Sequence, residues 1–421
     1  MKKIMVCGCG AQGSTICRKL DQEPNVTEII CADYNFETAK NVASMITKGK
    51  PKQVNAAHVE EIVAAAEDAE LIINVMPLDF GINVLEAAIQ CKCCYQDLSA
   101  CEGIGHAEDP INNWLEGIRI MYSDYSKRFA DNGTTALVGT GSSPGLMCVV
   151  ARRAVQELDE CDTLCCLVYE GVETKKFVPF WWSVQTALCD MEETAYAVEN
   201  GIPTRRVPFS KPIVRRWPEY DYKPITLCEH AHEEPAFMGF HPDEYFKGAK
   251  NIFFKYGGGG VEFAKPLYKA GLLSHEPEMF DGHEIVPFDL IHAHVPEAPK
   301  NPEEIKAIID EGVIEDGGAF VCEAYGKKNG RDVMIDLHVQ APGLIDSFER
   351  AKMSGEMYLT GQGAFLFTKL FVNDMIDQKG LITSDMLEDR QVEQYLEWAK
   401  ELDITYTIDI LENRYFNEDE V

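Results

Sequence analysis

Three glycines near the start of the chain have the spacing of a phosphate-binding turn. Val6–Gly13 reads Val-Cys-Gly-Cys-Gly-Ala-Gln-Gly, which fits the pattern G-x-G-x-x-G, and it continues from the apolar run Ile4–Val6. In this pattern Gly8 permits a tight turn, Gly10 lets a pyrophosphate approach the backbone, and Gly13 lets the next helix pack closely. The N-terminus of that helix offers unpaired N–H groups and a positive dipole end to the phosphates. The motif therefore predicts a dinucleotide-binding segment formed by Gly8, Gly10, Ala11, Gln12 and Gly13.

An acidic residue follows the motif at the distance at which a carboxylate contacts a ribose. The sequence predicts a helix over Ser14–Leu20 and a strand over Glu28–Asp33, and Asp33 lies about 20 residues after the last glycine. A carboxylate at this position accepts hydrogen bonds from the ribose hydroxyls and repels a 2′-phosphate. No arginine stands in the following segment Tyr34–Phe36. We therefore expect NAD as the cofactor, with NADP as the less favoured alternative.

The motif requires a parallel sheet around it, and the first 140 residues alternate predicted strands and helices accordingly. Further strands are predicted at 53–57, 70–75, 93–97 and 134–138. In open parallel sheets, ligands bind beyond the carboxyl ends of the strands. The other residues expected at this edge, and hence at the cofactor, are Asn74, Val75, Met76, Pro77 and Ser99.

The pattern changes after residue 140. Ser143 and Pro144 are predicted to be the N-cap and the first residue of a helix, and strand-like segments dominate from about residue 161. A later helix is predicted to end at Asn200–Gly201, because an asparagine–glycine pair is a common helix C-cap. The same pair at Asn329–Gly330 lies between two apolar runs and predicts a β-hairpin.

Together these patterns predict an α/β protein with a Rossmann-type, doubly wound parallel sheet and a second, α+β domain. We expect a dinucleotide-binding domain over 1–140 and a domain for substrate binding and dimerisation over 141–355. The remaining segment, 356–421, contains long predicted helices at 359–378 and 384–402, which we expect to pack back on the nucleotide domain.

Composition restricts the partners. The formal net charge of −30 over 421 residues argues against nucleic acid and against an anionic membrane surface, since both are polyanions. The 15 cysteines are mostly scattered through apolar segments, as expected for reduced core thiols of a cytoplasmic protein. The densest group is Cys91–Cys94, followed by Cys101, and its spacing matches no set of metal ligands. We predict no metal, and whether this group binds anything else stays open.

Several segments spread over the chain match a known pattern. They are Val6–Gly13, Ile72–Met76, Tyr95–Ser99, Thr134–Leu146, Val168–Val172, Phe180–Ser183, Ile252–Gly258 and Lys269–Leu273. Together they resemble the saccharopine dehydrogenase family, in the branch that includes lysine 6-dehydrogenase and saccharopine reductase. The resemblance implies a nucleotide domain completed by C-terminal helices, an α+β substrate domain between them, and NAD(P)-linked chemistry at a carbon–nitrogen bond of an amino acid. The reductases generally carry a basic or hydroxyl residue in place of Asp33, which favours a lysine 6-dehydrogenase-like enzyme.

Hydride transfer at a carbon–nitrogen bond needs a group that manages the amine proton. Asp97, at the end of a predicted strand, is one candidate, although it equally fits the role of capping the turn at Leu98–Ser99. Glu170 is a second candidate and His230 a third, with a solvated glutamate and an ordinary core or surface histidine as the alternatives. The second histidine of the pair, His232, also suggests zinc, but two ligands do not make a site.

Recognition of an amino-acid substrate needs a cation for the carboxylate, usually an arginine that binds it through two hydrogen bonds. Arg215 and Arg216 are candidates for this role, and solvated or ion-paired arginines are the alternative. Trp182 is a candidate for the wall that excludes water, and Ser143 for a substrate contact at the start of its helix.

The glycine motif and Asp33 predict an NAD-dependent protein, and the resemblance implies an oxidoreductase that acts on the carbon–nitrogen bond of a small amino-acid substrate, by lysine 6-dehydrogenase-like oxidative deamination. One alternative is reductive condensation of the saccharopine or carboxynorspermidine type, which needs an aldehyde and an amine. Another is a dinucleotide-binding sensor that has lost catalysis, because a fold does not certify an activity. A homo-oligomer is expected from the prevalence of symmetric assemblies.

Overall fold

The computed structural model describes residues 2–100 and 103–417. The chain divides into two compact units, each of which uses two segments. The first unit contains the residues up to Val149 and Leu359–Leu402, and the second contains Val150–Tyr358 and the residues from Asp403 onward.

The strands of the first half of the chain are β1 Lys2–Cys7, β2 Val26–Asp33, β3 Gly49–Gln53, β4 Leu71–Asn74, β5 Cys94–Asp97, β6 Thr135–Val138, β7 Glu160–Glu170, β8 Glu173–Thr174, β9 Ala195–Glu199 and β10 Ile202–Arg206. Those of the second half are β11 Ile213–Arg215, β12 Ile225–Glu229, β13 Asn251–Gly258, β14 Glu278–Phe280, β15 His283–Ile285, β16 Val313–Glu315, β17 Gly318–Lys328, β18 Arg331–Gln340, β19 Gly380–Thr383 and β20 Thr405–Glu412.

The helices of the first half are α1 Ala11–Leu20, α2 Phe36–Ser44, α3 Val59–Ala66, α4 Gly81–Cys91, α5 Pro110–Ile120, α6 Ser126–Asn132, α7 Leu146–Gln156 and α8 Val184–Glu192. Those of the second half are α9 Glu234–Phe240, α10 Pro242–Tyr245, α11 Gly259–Lys269, α12 Pro287–His292, α13 Pro302–Glu311, α14 Leu344–Ala351, α15 Gly355–Val372 and α16 Asp389–Ala399. Short 3₁₀ turns and one π-helical turn, Met121–Tyr125, complete the helical segments.

The first unit is built on a parallel sheet of seven strands in the order β19-β6-β5-β4-β1-β2-β3. Strands β4, β6 and β19 are buried along their whole length, as expected for a parallel sheet that is covered on both faces. This confirms the predicted Rossmann-type, doubly wound α/β fold. Strand β19 comes from the C-terminal segment, and the sequence pattern predicted no strand there.

The second unit contains a mixed sheet whose main path runs β10-β9-β13-β7-β17-β18-β20, with β12 paired to β13 and β11 to β12. Strands β13 and β7 run parallel, and the other paired strands of this sheet are antiparallel. Trp217, Ile213 and Leu227 pack on one face of the sheet, against Cys165, Leu167, Phe253 and Val321. An α+β unit beside a Rossmann-type unit is the architecture that the resemblance implied.

Both asparagine–glycine pairs form hairpin turns. Asn329–Gly330 joins β17 to β18, which confirms the predicted hairpin. Asn200–Gly201 joins β9 to β10, so the prediction of a helix ending there is wrong. Helix α8 ends at Glu192, and the apolar residues 195–198 form strand β9, which pairs with β10 and β13 and is buried in the sheet.

The C-terminal segment also differs from the prediction. Helices α15 and α16 are present, but the structure divides this segment between the units: Leu359–Leu402 joins the first, whereas β20 pairs with β18 of the second. Residues 405–412 therefore form a strand outside the nucleotide unit. The physical reason is the alternation Tyr406, Ile408, Ile410, whose partners on β18 are Val339, Leu337 and Ile335.

Candidate functional site

The glycine motif folds into a tight turn in the first unit. Gly8 has φ +101°, which favours glycine, and a Cβ on it would lie 2.6 Å from the carbonyl oxygen of Val75. A Cβ on Gly13 would lie only 1.8 Å from the Gly8 carbonyl oxygen, whereas one on Gly10 would meet nothing within 4 Å. Gly8 and Gly13 thus allow β1 and α1 to pack closely, and Gly10 leaves open space at the turn.

The N-terminus of α1 is suited to an anion. Gly10 precedes the helix with no side-chain cap, and the first turn, which contains Ala11 and Gln12, carries no acidic residue. The amide oxygen of Gln12 is buried and has no hydrogen-bond partner within the described residues. The uncapped start of α1 and its first turn without acidic residues therefore fit the diphosphate of a dinucleotide, whose charge the N–H groups and the helix dipole would stabilise.

Asp33 is fixed beside this turn. Its carboxylate accepts hydrogen bonds from the backbone N–H of Cys9 at 2.9 Å and from that of Asn35 at 2.8 Å. Each carboxylate oxygen keeps further acceptor capacity, since an ionised carboxylate has about four lone-pair sites. The structure therefore places a carboxylate next to the glycine turn at the end of β2, where a ribose hydroxyl is expected.

The predicted residues after β4 lie against the same turn. The Val75 N–H donates to the Cys7 carbonyl at 2.8 Å, and the Met76 sulfur would lie 3.2 Å from a Cβ on Gly8. Pro77 leads into a 3₁₀ turn over 78–80. The sequence prediction thus groups residues that the fold brings together at the carboxyl edge of the sheet.

Asp97 is buried, 3 % exposed, and is surrounded by donors from its own unit. It accepts hydrogen bonds from the Asn74 amide at 2.9 Å, the Ser99 backbone N–H at 3.1 Å and the Tyr95 hydroxyl. Burial raises the pKa of Asp97, and these hydrogen bonds oppose the rise. The geometry favours the turn-capping alternative: Asp97 positions Asn74 and Ser99 at the ends of β4 and β5.

A second group of candidate residues lies in the second unit, around Glu170 at the end of β7. The Glu170 carboxylate accepts hydrogen bonds from the Tyr256 hydroxyl and the Trp182 indole, and Glu356 lies nearby as a like charge. Burial, followed by repulsion from Glu356, raises the pKa of Glu170 to about 7. Among the described residues, the groups that shift this pKa include no cation. Glu170 can therefore exchange a proton near neutral pH.

His230 and His232 lie next to this group of residues. The His230 ring stacks on Tyr256 with centroids 4.8 Å apart, and it lies 6.2 Å from the His232 ring. Burial lowers the pKa of His230 to about 3, so this imidazole is neutral at physiological pH. One ring nitrogen of the neutral His230 donates a hydrogen bond and the other accepts one, but the ring is a poor acid at that pH.

His232 has the opposite charge state. Burial alone would lower its pKa, but attraction and a hydrogen bond to Glu234 outweigh it and raise the pKa to about 9. Its Nδ1 also lies 3.3 Å from a carboxylate oxygen of Glu233, whose own pKa is raised by burial. One imidazolium therefore faces two carboxylates, and the cluster of His232, Glu233 and Glu234 is net acidic.

Ligand atoms of His232, Glu233 and Glu234 lie within 4.8 Å of one another, close enough to hold a metal ion. A metal needs the lone pair of a neutral imidazole, however, and Nδ1 of His232 is already hydrogen-bonded to Glu234 in a protonated ring. The arrangement therefore suits an organic cation better than a metal.

Arg215 lies elsewhere in the second unit. Its guanidinium donates two hydrogen bonds, at 2.6 and 2.8 Å, to the buried carboxylate of Glu323. The strand register puts Glu323 opposite Cys165, and alternation along β7 places Cys165 and Glu170 on opposite faces of the sheet. The structure therefore does not bring Arg215 together with Glu170, and it gives Arg215 the ion-pair role that was the alternative.

The three other predicted substrate contacts have different surroundings. Arg216 is exposed and donates to the Tyr222 carbonyl at 3.0 Å. The prediction that Ser143 and Pro144 begin a helix is wrong. Gly145 has φ +135°, which is not helical, and α7 starts at Leu146. Trp182, by contrast, joins Glu170 as expected of a site residue.

The sequence pattern missed Tyr256 and Glu356. A signal for Tyr256 was present in the glycine run 257–260 that follows it: a Cβ on Gly258 would lie 2.1 Å from the Glu170 carbonyl oxygen. Glu356 has no comparable signal, because it starts a helix far along the chain. The predicted thiol Cys101 lies outside the described residues.

None of the helices in the described ranges is long and apolar enough to cross a membrane.

Comparison with known proteins supports the resemblance found in the sequence. Residues 4–137 match the family model of the saccharopine dehydrogenase NADP binding domain. The fold agrees: saccharopine dehydrogenase (L-Glu forming) from Saccharomyces cerevisiae superposes over 98 % of this chain and 100 % of its own, with TM-score 0.67 and 13 % identity. Homospermidine synthase from Legionella pneumophila, solved with NAD, superposes over 97 % and 91 % with TM-score 0.63 and 10 % identity.

Three relatives in sequence align with nearly the whole chain. Carboxynorspermidine synthase of Vibrio alginolyticus is 24 % identical over 91 % of this chain and 92 % of its own. The synthase of the same name from Vibrio cholerae is 25 % identical over the same shares. Carboxyaminopropylagmatine dehydrogenase of Synechocystis is 23 % identical over 92 % of this chain and 93 % of its own.

These findings confirm the resemblance to the saccharopine dehydrogenase family and its fold. They support an NAD(P)-dependent oxidoreductase that uses a nicotinamide dinucleotide. The names of the sequence relatives fit the reductive-condensation alternative better than lysine 6-dehydrogenase-like deamination.

Two glycine variants distinguish the packing of α1 against β1 from the binding of a dinucleotide. We expect Gly13→Ala to lower the melting temperature of the protein, because its methyl group would overlap the Gly8 carbonyl. Gly10→Ala meets nothing within 4 Å and is expected to keep the melting temperature while weakening dinucleotide binding about tenfold or more. Differential scanning fluorimetry and calorimetric titration with NADH and NADPH measure the two effects. Equal stability of both variants would contradict the assigned packing.

Proposed function

We propose that this chain catalyses the NAD(P)H-dependent condensation of an aldehyde with a primary amine. An amine adds to the aldehyde, water leaves, and the resulting imine is reduced to a secondary amine. The names of the three sequence relatives support this reaction, and they align with this chain over nearly its whole length. The single structural observation that carries the proposal is Glu170, a carboxyl with a pKa of about 7 that is held by Tyr256 and Trp182.

Glu170 suits both proton transfers of such a condensation. An amine in solution is an ammonium ion and must lose a proton before it can attack a carbonyl. The Glu170 carboxylate accepts that proton, and the carboxyl group then donates it to the departing water. A group whose pKa lies near the working pH can both accept and donate a proton, because neither transfer is strongly unfavourable in free energy.

A neighbouring aromatic side chain contributes to binding of the same amine. The partly exposed Trp182 indole lies beside the Glu170 carboxylate, a combination that attracts an ammonium ion through cation–π and Coulombic interactions. Trp182 and Tyr256 both donate to Glu170, so they orient its carboxylate. Tyr256 is 6 % exposed, and water is therefore largely kept from its hydroxyl.

The acidic cluster of His232, Glu233 and Glu234 extends this recognition to a second charge. The stacked rings of Tyr256 and His230 connect it to Glu170 along one side of β13. A net-acidic cluster at a separation of a few ring widths from Glu170 matches an aliphatic diamine, with one amine reacting and the other staying charged. We therefore propose a di- or polyamine as the amine substrate.

The first unit supplies the redox partner. Gly8, Gly10, Gly13 and the N-terminus of α1 would hold the diphosphate, and Asp33, which lies beside this turn, would accept hydrogen bonds from the ribose hydroxyls. The bound nicotinamide supplies a hydride to the imine carbon. Because a carboxylate repels a 2′-phosphate, we propose NADH rather than NADPH as the preferred reductant.

The function is tested by following absorbance of the reduced nicotinamide. We expect oxidation of NADH when an amino-acid aldehyde, such as aspartate semialdehyde, is mixed with 1,3-diaminopropane, putrescine or agmatine. We expect no reduction of NAD with lysine, which the deamination hypothesis requires. Dinucleotide binding without turnover in either assay would instead support the sensor alternative.

Cofactor preference depends on one side chain. Asp33→Ala is expected to weaken NADH binding at least about tenfold and NADPH binding much less, because only NADH loses favourable hydrogen bonds without relief of repulsion. Titration calorimetry of the wild type and of Asp33→Ala with NADH and with NADPH measures the ratio of the two dissociation constants. An unchanged ratio would mean that Asp33 does not contact the ribose.

Glu170→Gln keeps the shape of the side chain but removes its proton exchange. We expect kcat to fall about 10²- to 10⁴-fold. In the wild type, kcat/KM for the amine should fall as the pH drops below about 7, because protonated Glu170 cannot accept the ammonium proton. This fall of kcat/KM at low pH should be absent in Glu170→Gln. Glu173→Gln, at an exposed position three residues later, is the control and should behave as wild type.

The acidic cluster is tested with amines of one and two charges. Glu233→Gln is expected to raise KM for a diamine several-fold and to leave KM for propylamine nearly unchanged, since only the diamine has a second ammonium group. Treatment with EDTA should leave both activities intact. A chelator-sensitive activity that zinc restores would identify His232, Glu233 and Glu234 as a metal site instead.

A further inference from the structure

Asp97 is surrounded by groups that favour its ionised form. Its Oδ2 accepts hydrogen bonds from the Asn74 side-chain amide at 2.9 Å and from the Tyr95 hydroxyl. Its Oδ1 accepts from the Ser99 backbone N–H at 3.1 Å and from the Ser99 hydroxyl at 3.3 Å. These four donors are uncharged, so they stabilise a negative charge on Asp97 without cancelling it.

Two of the donors cannot act as acceptors instead. A backbone N–H has no lone pair to offer, and the Asn74 amide is oriented by its own oxygen, which accepts from the Met76 backbone N–H at 3.2 Å. A protonated Asp97 could direct its proton only to one of the two hydroxyls and would lose the hydrogen bond that this hydroxyl donates. Burial raises the pKa of Asp97, but the arrangement of donors opposes the rise and favours the carboxylate.

The backbone holds this carboxylate in place. The Asp97 carbonyl oxygen accepts hydrogen bonds from the Thr140 backbone N–H at 3.0 Å and from the Thr140 hydroxyl at 2.7 Å. The Gly139 N–H donates to the Ser99 carbonyl at 3.0 Å, which fixes the next turn as well. Because Asp97 is buried, water screens its charge weakly, and a fixed, weakly screened charge acts beyond its direct contacts.

The strand order places Asp97 and Asp33 on opposite sides of the glycine turn. Strand β1, which leads into the turn, pairs with β2 on one side and with β4 on the other, and β5 follows β4. In sheets with this order a dinucleotide lies across the carboxyl edge, with one nucleotide on each side of the first strand. Since Asp33 at the end of β2 is the proposed partner of the adenosine ribose, the nicotinamide half belongs on the side of β4 and β5, where Asp97 lies.

We propose that Asp97 favours the oxidised, positively charged form of a bound nicotinamide coenzyme over the reduced form. The inference rests on the dinucleotide of the proposed function, but not on the aldehyde or the amine. The nicotinamide ring is cationic in NAD and neutral in NADH, so a fixed carboxylate on this side attracts only the oxidised ring. Asp97 would thereby stabilise the positive charge that develops on the ring during hydride donation, which makes bound NADH a stronger reductant.

The charge of Asp97 can be separated from its role in capping the turn. Loss of the cap would weaken the binding of NAD and NADH alike, because both forms share the diphosphate and the two riboses. Loss of the charge would weaken the binding of NAD alone. The ratio of the NADH dissociation constant to the NAD dissociation constant therefore reports on the charge, and a purely structural role would not change it.

The test measures the dissociation constants of NAD, NADH and ADP-ribose by titration calorimetry on the full-length protein. In Asp97→Asn we expect the NADH-to-NAD ratio to fall about threefold or more, because the favourable charge interaction with the oxidised ring is lost. Binding of ADP-ribose, which has no nicotinamide ring, should change by the same factor as binding of NADH. Asp97→Ser, whose smaller neutral side chain can also accept hydrogen bonds, provides the same comparison where Asp97→Asn does not fold.

Two control variants keep the Asp97 charge. Tyr95→Phe removes one donor to the same carboxylate, and Asp33→Ala removes the carboxylate on the other side of the turn. In both we expect the affinities for NAD and NADH to change by a common factor, so that their ratio stays at the wild-type value. Circular dichroism of each variant confirms that folded proteins are compared.

The inference is overturned if the ratio is unchanged in the neutral variants of Asp97, or if it falls equally far in Tyr95→Phe or Asp33→Ala. A wild-type protein that binds neither coenzyme would overturn this inference together with the proposed dinucleotide site. A protein that binds both but condenses no aldehyde with an amine would refute the proposed reaction only, and a ratio that still depends on Asp97 would support the inference.

Discussion

The proposed chemistry depends on the parallel pairing of β13 with β7. This register puts Gly258 beside Glu170 and Tyr256 beside Val168, so that Tyr256 and Glu170 point to the same face of the sheet. The antiparallel pairing of β12 with β13 then leads the chain directly into His230, whose ring stacks on Tyr256. A shift of one residue in either pairing would move these side chains to opposite faces and separate the acid from its donors.

The first unit was largely predictable from sequence because its signals are local. The glycine spacing, Asp33 and the uninterrupted apolar runs each depend on neighbouring residues, and β1, β2, β4, β5 and β6 appear close to the predicted positions. Strand β19 was missed, because a four-residue segment has too little pattern to reveal a strand whose partner lies far back in the chain. Asn200–Gly201 was misassigned for a related reason: the pair fits a helix cap and a hairpin equally well, and only the pairing of β9 with β10 decides.

The candidate site was predictable in its residue types more than in their roles. Asp97 was correctly placed at a strand end, but its partner Asn74 comes from the neighbouring strand β4, and with Tyr95 of its own strand it turns Asp97 into a positioning group. Arg215 was selected by charge alone, and Glu323, more than a hundred residues away, claims its guanidinium. Buried partners at long range set the pKa of a side chain, and they are invisible to a pattern that considers one segment at a time.

The position of β19 has a consequence for synthesis on the ribosome. Strand β6 emerges early, yet the strand that covers its outer edge is Gly380–Thr383, which is translated only after the second unit's main segment. The nascent nucleotide unit therefore waits with an apolar edge open while the whole intervening unit is made. An unpaired strand edge is a template for pairing with other chains, so the late arrival of β19 prolongs the period in which such pairing competes with folding.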